Sequence, residues 1–532
     1  MTALTVRTDP LGGSPLARAA AAGDAVVREW YEPVPRGREE WRARVERIRA
    51  EGPEGWAAVV AEAARPGGVA GARLARVAAG KGIVVTTGQQ PGLFGGPIYT
   101  WSKALSARAL ADEIERATGV STVPVFWAAT DDADFEEASQ TAVAVPGGVD
   151  VLRLSGSPRP GAPLSDTPLP AAELPGLLER LARGAGAAAH PGALEAARSS
   201  YHAGATVGSA YVALLRILLE PLGVVVVDAS SPAVRRAAEP LLRRAIERAA
   251  DVDRALAQRD AGITAAGLAP QVPSVPGLSL VFAVASGRKV RLPIGEGPEG
   301  TAGVELVPNV LLRPVVERSI LPTVAYAAGP GELAYFAQVS AVAAALEAPA
   351  PLAVPRWSGT IIEPHVHRLL TRYGLAPDDV GDGHIADRAI ARRSLAPGAA
   401  LALGEAREGI GDLTARLTRA LVDGAALVPA AVVEGFRRGA EHRLARLERR
   451  VLAAVKRRET AALRDLATLR GALFPLGVRQ ERALNFLPLL ARHGPPLVAM
   501  MGAEAGAHAR ALVGPATDDR AGTGQATTAG RV

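Results

Sequence analysis

Residues 82–103 read GIVVTTGQQPGLFGGPIYTWSK. The first part is a short β-branched run that ends in glycine, and the last part opens a helical pattern running from about Pro97 to Ala117. Between them, Gly88, Gly92, Gly95 and Gly96 let the backbone turn tightly and bring its N–H groups close to a ligand. A helix N-terminus directly after such a loop carries partial positive charge, so strand, loop and helix together make an anion or phosphate cradle. Gln89 and Gln90 lie in this loop, and Tyr99 and Lys103, four residues apart, share one helix face. A plain tight turn explains the glycines equally well.

The same texture recurs along the chain. TVPVFWAAT (122–130) is a second buried strand, VVVVD (224–228) a third that leads into a helix, and TVAYAAGPGELAYFAQ (323–338) and PLAVPRWSG (351–359) continue the series. Strands alternating with helices of this length predict an α/β protein with a doubly wound parallel sheet. Ligands of such sheets bind at the carboxyl ends of the strands, where the glycine loop falls.

Around this core the sequence predicts a helical N-terminal arm over 1–80 and the sheet over 81–364. Insertions are expected near 145–200 and 262–312, the second containing a hairpin across Ser286 and Gly287. Residues 365–480 are helical in pattern. Ile410, Leu413, Leu417 and Leu421, then Phe436, Leu444, Leu447, Val451, Val455, Leu463, Leu466 and Leu473, sit at helical spacing among arginines and glutamates. The second helix would run roughly 60 Å at 1.5 Å per residue. One compact domain does not cover that length, so an antiparallel coiled coil used for homodimerisation is expected. A return segment over 481–513 and a small-residue, disordered tail over 514–532 complete the chain.

Composition narrows the chemistry. The chain has no cysteine, which removes disulfides, thiolate metal sites and a thiol nucleophile of its own. A net charge of +6 is spread among interleaved acids and bases, unlike the concentrated stripe of a nucleic-acid binder. No run is long and apolar enough for a membrane helix and no secretory leader pattern is present, so the cytoplasm is the expected location. Lysine is scarce beside arginine, which makes Lys103 conspicuous.

Three further groups of residues carry possible chemistry. Asp131 and Asp132 follow the second strand directly; carboxylates there can hold an amino group, bind a nucleotide's metal or act as a base, while Asp134 reads as a helix cap. Trp127, at the end of that strand, offers a stacking wall for a base or sugar, though a sheet core would use it too. Asn309 and Arg313 open a buried run in which an unpaired charge is costly, and Gly329, Gly331 and Glu332 again form a glycine turn before a helix. GEGPEG (295–300) lacks the helix that a dinucleotide fingerprint needs, and the histidines give no zinc pair, so no metal site is expected.

The segments TGQQPGLFGGPIYTWSKA, PVFWAATDDADFEE, NVLLRPVVERSILPTVAYAAGPGELAYFAQ, VPRWSGTIIEP and LFPLGVRQERALNFLP resemble the bacillithiol-biosynthesis cysteine-adding enzymes, a cysteine ligase family, over residues 80 to about 500. The resemblance implies a Rossmann-like core with two connecting insertions and a coiled-coil dimerisation domain. It also implies the joining of cysteine to the amine of glucosaminyl malate, the core cleft as active site, and a nucleotide place against the coiled coil. Two histidines of the family's acidic motif are replaced here by Ala133 and Gln140, and Glu317 and Arg318 stand where the family has Gln-Asp. Loss of a positioned acid or base costs ~10²–10⁴-fold in rate.

The expected mechanism activates a carboxylate with ATP or another nucleotide, with or without magnesium, before amine attack. Lys103, Asp131 and Asp132 would be catalytic; residues 88–96 with Tyr99 would hold phosphate or carboxylate, and Asn309, Arg313 and Glu332 would complete the cleft. A ligase for another amino acid and a non-catalytic dimeric binding protein are the alternatives.

Overall fold

The computed structural model describes residues 3–514 apart from 157, 302, 394–396 and 459. The disordered tail expected from residue 514 falls, past its first residue, outside the described residues, as does the side chain of Val455. The chain divides into two compact units. The larger comprises Val6–Val143, Val151–Thr360 and the chain from Glu481 onward; the smaller is chiefly Ile361–Gln480.

The larger unit is built on five parallel strands: β1 (Ile83–Gln89), β2 (Thr122–Ala128), β3 (Val225–Asp228), β4 (Thr323–Ala328) and β5 (Ala353–Pro355). Their order in the sheet is β3-β2-β1-β4-β5, the Rossmann-like arrangement in which the winding reverses between β1 and β4. Side chains alternate along each strand, so Ile83 and Val85 enter one apolar layer and Val84 the other. Covering both faces makes these strands continuous apolar runs.

The layer beneath Ile83 and Val85 is closed by helix α1 (Ile98–Thr118), through Leu110 and Ile114, and by Trp41, Val45 and Ile48 of the helix Gly37–Glu51. Each such fully buried side chain contributes about 1.5–3 kcal/mol. Gly119, with φ +76°, ends α1 by donating its N–H to Glu115. The other layer takes Leu16, Val60 and Leu74 from three more N-terminal helices. The helices between Pro15 and Ala79, in the stretch read from the sequence as an arm, are thus part of the core, because their apolar faces cover the sheet.

In the stretch 262–312, strands Leu278–Ala285 and Arg288–Pro293 form the hairpin expected at Ser286 and Gly287, whose φ values of +51° and +72° suit a tight turn. A third strand, Glu305–Pro308, pairs with the first of these. After residue 480 the chain returns to the larger unit, and Ala509 and Val513 of its last helix, Leu487–Val513, join the layer with α1.

The smaller unit is helical around Val366, Leu370, Leu469 and Leu473. Helices Pro397–Leu417 and Ala430–Arg458 form a hairpin joined through a π-helical segment, Thr418–Gly424, and tied by an Arg407–Glu448 ion pair of 2.8 Å. The expected long helix is described as Ala430–Arg458 followed by Thr460–Leu473.

Candidate active site

The reversal between β1 and β4 opens a crevice at their carboxyl ends. Gly88, next to last in β1, lies opposite Trp127 of β2, and a Cβ there would lie 2.8 Å from the Trp127 carbonyl oxygen and 3.4 Å from Arg313 Nη1. The carbonyl contact is what requires glycine here, and Arg313 packs against the same spot at ordinary contact distance. Lys103 reaches back from α1 and donates to Gly88 O (2.7 Å) and Gln89 Oε1 (2.9 Å).

Beyond β4, Gly329 caps the helix α4 (Pro330–Ala345), and Glu332 folds back to accept from its N–H at 2.6 Å. Glu332 also accepts from the Tyr326 hydroxyl (2.5 Å) and pairs with Lys103 at 2.8 Å. Burial raises the Glu332 carboxyl, but Lys103 and Arg313 outweigh it and hold the group below the usual carboxylate range. Burial likewise lowers the Lys103 ammonium, with Glu332 working against it.

Arg313 opens the helix α3 (Arg313–Ile320, ahead of α4 in the chain) and donates to the Tyr335 hydroxyl at 3.1 Å, with Glu317 at 3.4 Å one turn on. Glu317 is 2% exposed, and burial pushes its carboxyl up to about 7 against the pull of Arg313. Asp131 shares with Arg313 and Trp127 a cavity of about 20 Å³, room for a single water-sized group. Its carboxyl is raised by burial, with Lys289 opposing; Lys289 Nζ donates to the Asp131 carbonyl at 2.7 Å.

The structure therefore gathers Gly88, Gln89, Lys103, Arg313, Gly329 and Glu332 around the crevice. Asp131 and Trp127 border it through the shared cavity. Tyr99 stands at its edge, accepting from Gln89 Nε2 at 3.4 Å, with Gln90 half-buried next in the chain.

Other proposed residues are occupied differently. Asp132 Oδ1 accepts from the Ala133 and Asp134 amides (2.6 and 3.0 Å), and Asn309 Oδ1 from those of Leu311 and Leu312 (3.1 and 2.9 Å), so both carboxamide and carboxylate serve turns. Gly331 faces open space among the described residues. The loop with Gly92, Gly95 and Gly96 is buried, and the Gly95 and Gly96 amides bond to Gly92 and Leu93 carbonyls. Asn485 Nδ2 donates to the carbonyls of Leu93 (3.3 Å), Phe94 (3.0 Å) and Gly96 (3.3 Å). These glycines make a turn clamped by the return segment rather than an open anion cradle.

Several residues of the site escaped the sequence reading: Tyr326, Tyr335, and the buried pair Arg356–Glu481; Glu317 was marked there only as a departure from the family, with no role. Arg356 donates to both Glu481 oxygens (2.9 and 2.7 Å), while its buried Nε, facing Gly329, has no partner among the described residues. A lone arginine in the apolar run VPRW was the available signal.

Two family models match the chain: "Bacillithiol biosynthesis BshC, N-terminal Rossmann-like domain" over residues 1–298 and 300–357, and "Bacillithiol biosynthesis BshC, C-terminal coiled-coil domain" over 359–508. Among curated relatives, a protein of Solibacter usitatus is 34% identical over 443 residues, covering 79% of this chain and 82% of its own. Relatives from Koribacter versatilis (33%; 78% and 80% covered) and Symbiobacterium thermophilum (31%; 78% and 80%) are similar. All three carry the name "Putative cysteine ligase BshC".

Proposed function

Because the chain belongs to the BshC family of bacillithiol biosynthesis, we propose that it is a carbon–nitrogen ligase joining cysteine to the amine of glucosaminyl malate, the last step of that synthesis. The observation that carries this reading is the buried Lys103–Glu332 pair beside Arg313, set at the switch point of a Rossmann-like sheet. Buried ion pairs are poor stabilisers, so these three ionisable groups at the ligand end of the strands favour a functional reason for their retention.

In this reading Lys103, Gln89 and Arg313 receive carboxylate oxygens. The attacking amine must shed a proton, and Asp131, whose carboxyl is raised by burial, accepts it. Asp132 is engaged in its turn, which leaves Asp131 the better acceptor.

Making an amide from a carboxylate needs a leaving group, which a bound nucleotide such as ATP supplies. The buried glycine loop fits a nucleotide poorly, since the Gly95 and Gly96 amides are spent. A pocket of about 440 Å³ in the smaller unit, to which residues 148–149 also belong, offers the Phe474 ring face and the Arg470 guanidinium, but it shares no residue with the crevice, so a nucleotide held there would be a second one and not the one that activates the carboxylate. Its glycines allow the walls to close, since a Cβ at Gly381 would lie 2.7 Å from the Phe474 ring. Phe474 and Arg470 would hold that second nucleotide, while the activating one would have to place its phosphate beside Lys103 and Arg313.

The helical hairpin is the proposed homodimer contact, and the cytoplasm the proposed location; no helix among the described residues is long and apolar enough to cross a membrane. The test of function is mass spectrometry after incubation with glucosaminyl malate and an equimolar amino-acid mixture, with and without ATP. A cysteine adduct is expected. An adduct with another amino acid would show that the donor has changed, and the absence of any adduct would overturn the ligase reading.

A further inference from the structure

A continuous line of polar contacts joins five side chains beneath the crevice. Glu317 Oε2 faces Arg313 Nη1 at 3.4 Å, and Arg313 Nη2 lies 3.5 Å from the Tyr326 hydroxyl. Tyr326 donates to Glu332 Oε1, and Glu332 Oε2 meets Lys103. Glu332 is committed three times over, to Lys103, to the Gly329 amide and to the Tyr326 hydroxyl, so its charge is fixed by geometry. Glu317 has one weak ionic contact, is 2% exposed, and sits a full turn behind Arg313 in α3. It is placed to act on the guanidinium from behind.

We infer that Glu317 is a positioning residue for Arg313: when protonated it releases the guanidinium to an anionic substrate, and when ionised it holds the guanidinium back. The inference rests on the reading of this crevice as the site for a carboxylate-bearing substrate. The groups facing Glu317 are Arg313 on its own helix, Lys103 from α1, Glu332 from α4, and the Thr86 hydroxyl from β1, with Tyr326 from β4 and Tyr335 from α4 around the guanidinium. Asp131 borders Arg313 through the small cavity. Lys103 and Glu332 cancel each other, so the proton on Glu317 decides whether Arg313 is neutralised. That carboxyl changes state near 7, within the range a cell visits. The step is a proton exchange with water, in which one O–H bond forms or breaks.

The apparent affinity of a site scales with the fraction of protein in the competent state. With a midpoint near 7, that fraction falls about tenfold between pH 6 and pH 8. The experiment is calorimetric titration of the full chain with glucosaminyl malate from pH 6 to pH 8, for the wild type, Glu317→Gln, Glu317→Asp and Arg313→Ala. Taking each variant's Kd as a ratio to the wild type at the same pH cancels the ligand's own titration.

The wild-type Kd is expected to weaken about tenfold relative to Glu317→Gln across this range. Glu317→Asp, which keeps the acid, should retain a pH-dependent Kd, something a purely structural role would not produce. A constant ratio between wild type and Glu317→Gln overturns the inference alone, provided Arg313→Ala weakens binding. Binding that Arg313→Ala leaves intact, or no binding by the wild type, overturns the site reading and the inference with it. Should Glu317→Gln fail to fold, a wild-type Kd that tracks Glu317→Asp without displacement of its midpoint overturns the inference.

Discussion

Lys103 Nζ lies 2.8 Å from Glu332 Oε2, although one residue stands on the helix after β1 and the other on the helix after β4. The pair bridges the two halves of the sheet at the place where the winding reverses, and each partner also binds the strand end nearest it. Lys103 holds the Gly88 carbonyl and Glu332 the Gly329 amide. One ion pair, its two ends anchored to backbone, thus ties the ends of β1 and β4 together.

Removing one partner should therefore be worse than removing both. Lys103→Met leaves a buried carboxylate without its cation, at a cost of about 3–5 kcal/mol. Lys103→Met/Glu332→Gln leaves no charge to strand and should lose markedly less. Urea denaturation of the two single variants and the double variant measures the coupling; additive losses would show that the pair does not act as a unit. Ligase activity should fall by at least ~10²-fold in Lys103→Met.

Two of the glycines proposed from the sequence, Gly88 inside the site and Gly331 outside it, should respond in opposite ways to alanine. At Gly88 the added methyl would sit 2.8 Å from the Trp127 carbonyl and 3.1 Å from its Cβ, both on the paired strand. The strands must separate, which costs about 1–3 kcal/mol. At Gly331, in the first turn of α4, a methyl meets nothing within 4 Å among the described residues. There alanine should gain up to about 1 kcal/mol from helix propensity. Thermal melts of the two variants should move apart, and equal shifts would contradict the packing described at Gly88.

How much of this was legible in the sequence depended on whether a residue's partner was local. The five strands show as β-branched runs stopped by glycine, and Ser286-Gly287 marks its hairpin, because those signals need no distant neighbour. The glycine loop shows as a turn, but its letters do not reveal whether the amides face a ligand or each other, and Asn485 answers that from nearly 400 residues away. Arg356 and Glu481 stand 125 residues apart in segments of mixed charge. Glu317 shows in the sequence as a departure from the family, but its role does not show until the fold buries it against Arg313. The N-terminal helices announced an apolar face without saying what would cover it, which is why an arm was expected where the structure has part of the core.

Stability should carry the signature of Glu317 in its pH dependence. The carboxyl rises from an ordinary 4.5 to about 7 on folding, so the folded state holds its proton longer than the unfolded state. Below pH 4.5 both states are protonated and no penalty exists. As the pH climbs from 4.5 to 7 the unfolded chain alone gains by ionising, and stability falls by about 1.4 kcal/mol for each pH unit crossed. Glu317→Gln cannot ionise and should lack this decline. The variant should thus gain on the wild type between pH 5 and pH 7 and hold a constant difference above pH 8. Parallel stability curves in urea would contradict the burial of Glu317 as a neutral acid.

The hairpin of the smaller unit leaves apolar side chains uncovered in the single chain: Leu413 is 37% exposed, Phe436 48% and Leu447 52%. Leu466, on the same heptad pattern, is 3% exposed and belongs to the unit's own core, so changing it would test folding and not association. Phe436 and Leu447 are the sites for a charge. A second chain laid along the hairpin would bury them, as the a and d positions of a coiled-coil seam are buried. Phe436→Glu/Leu447→Glu should keep the helical circular dichroism of the parent, since neither residue supports the unit's core, yet halve the mass seen by light scattering. A double variant that remains dimeric would rule out this face as the contact between chains, and a parent that is already monomeric would remove the need for one.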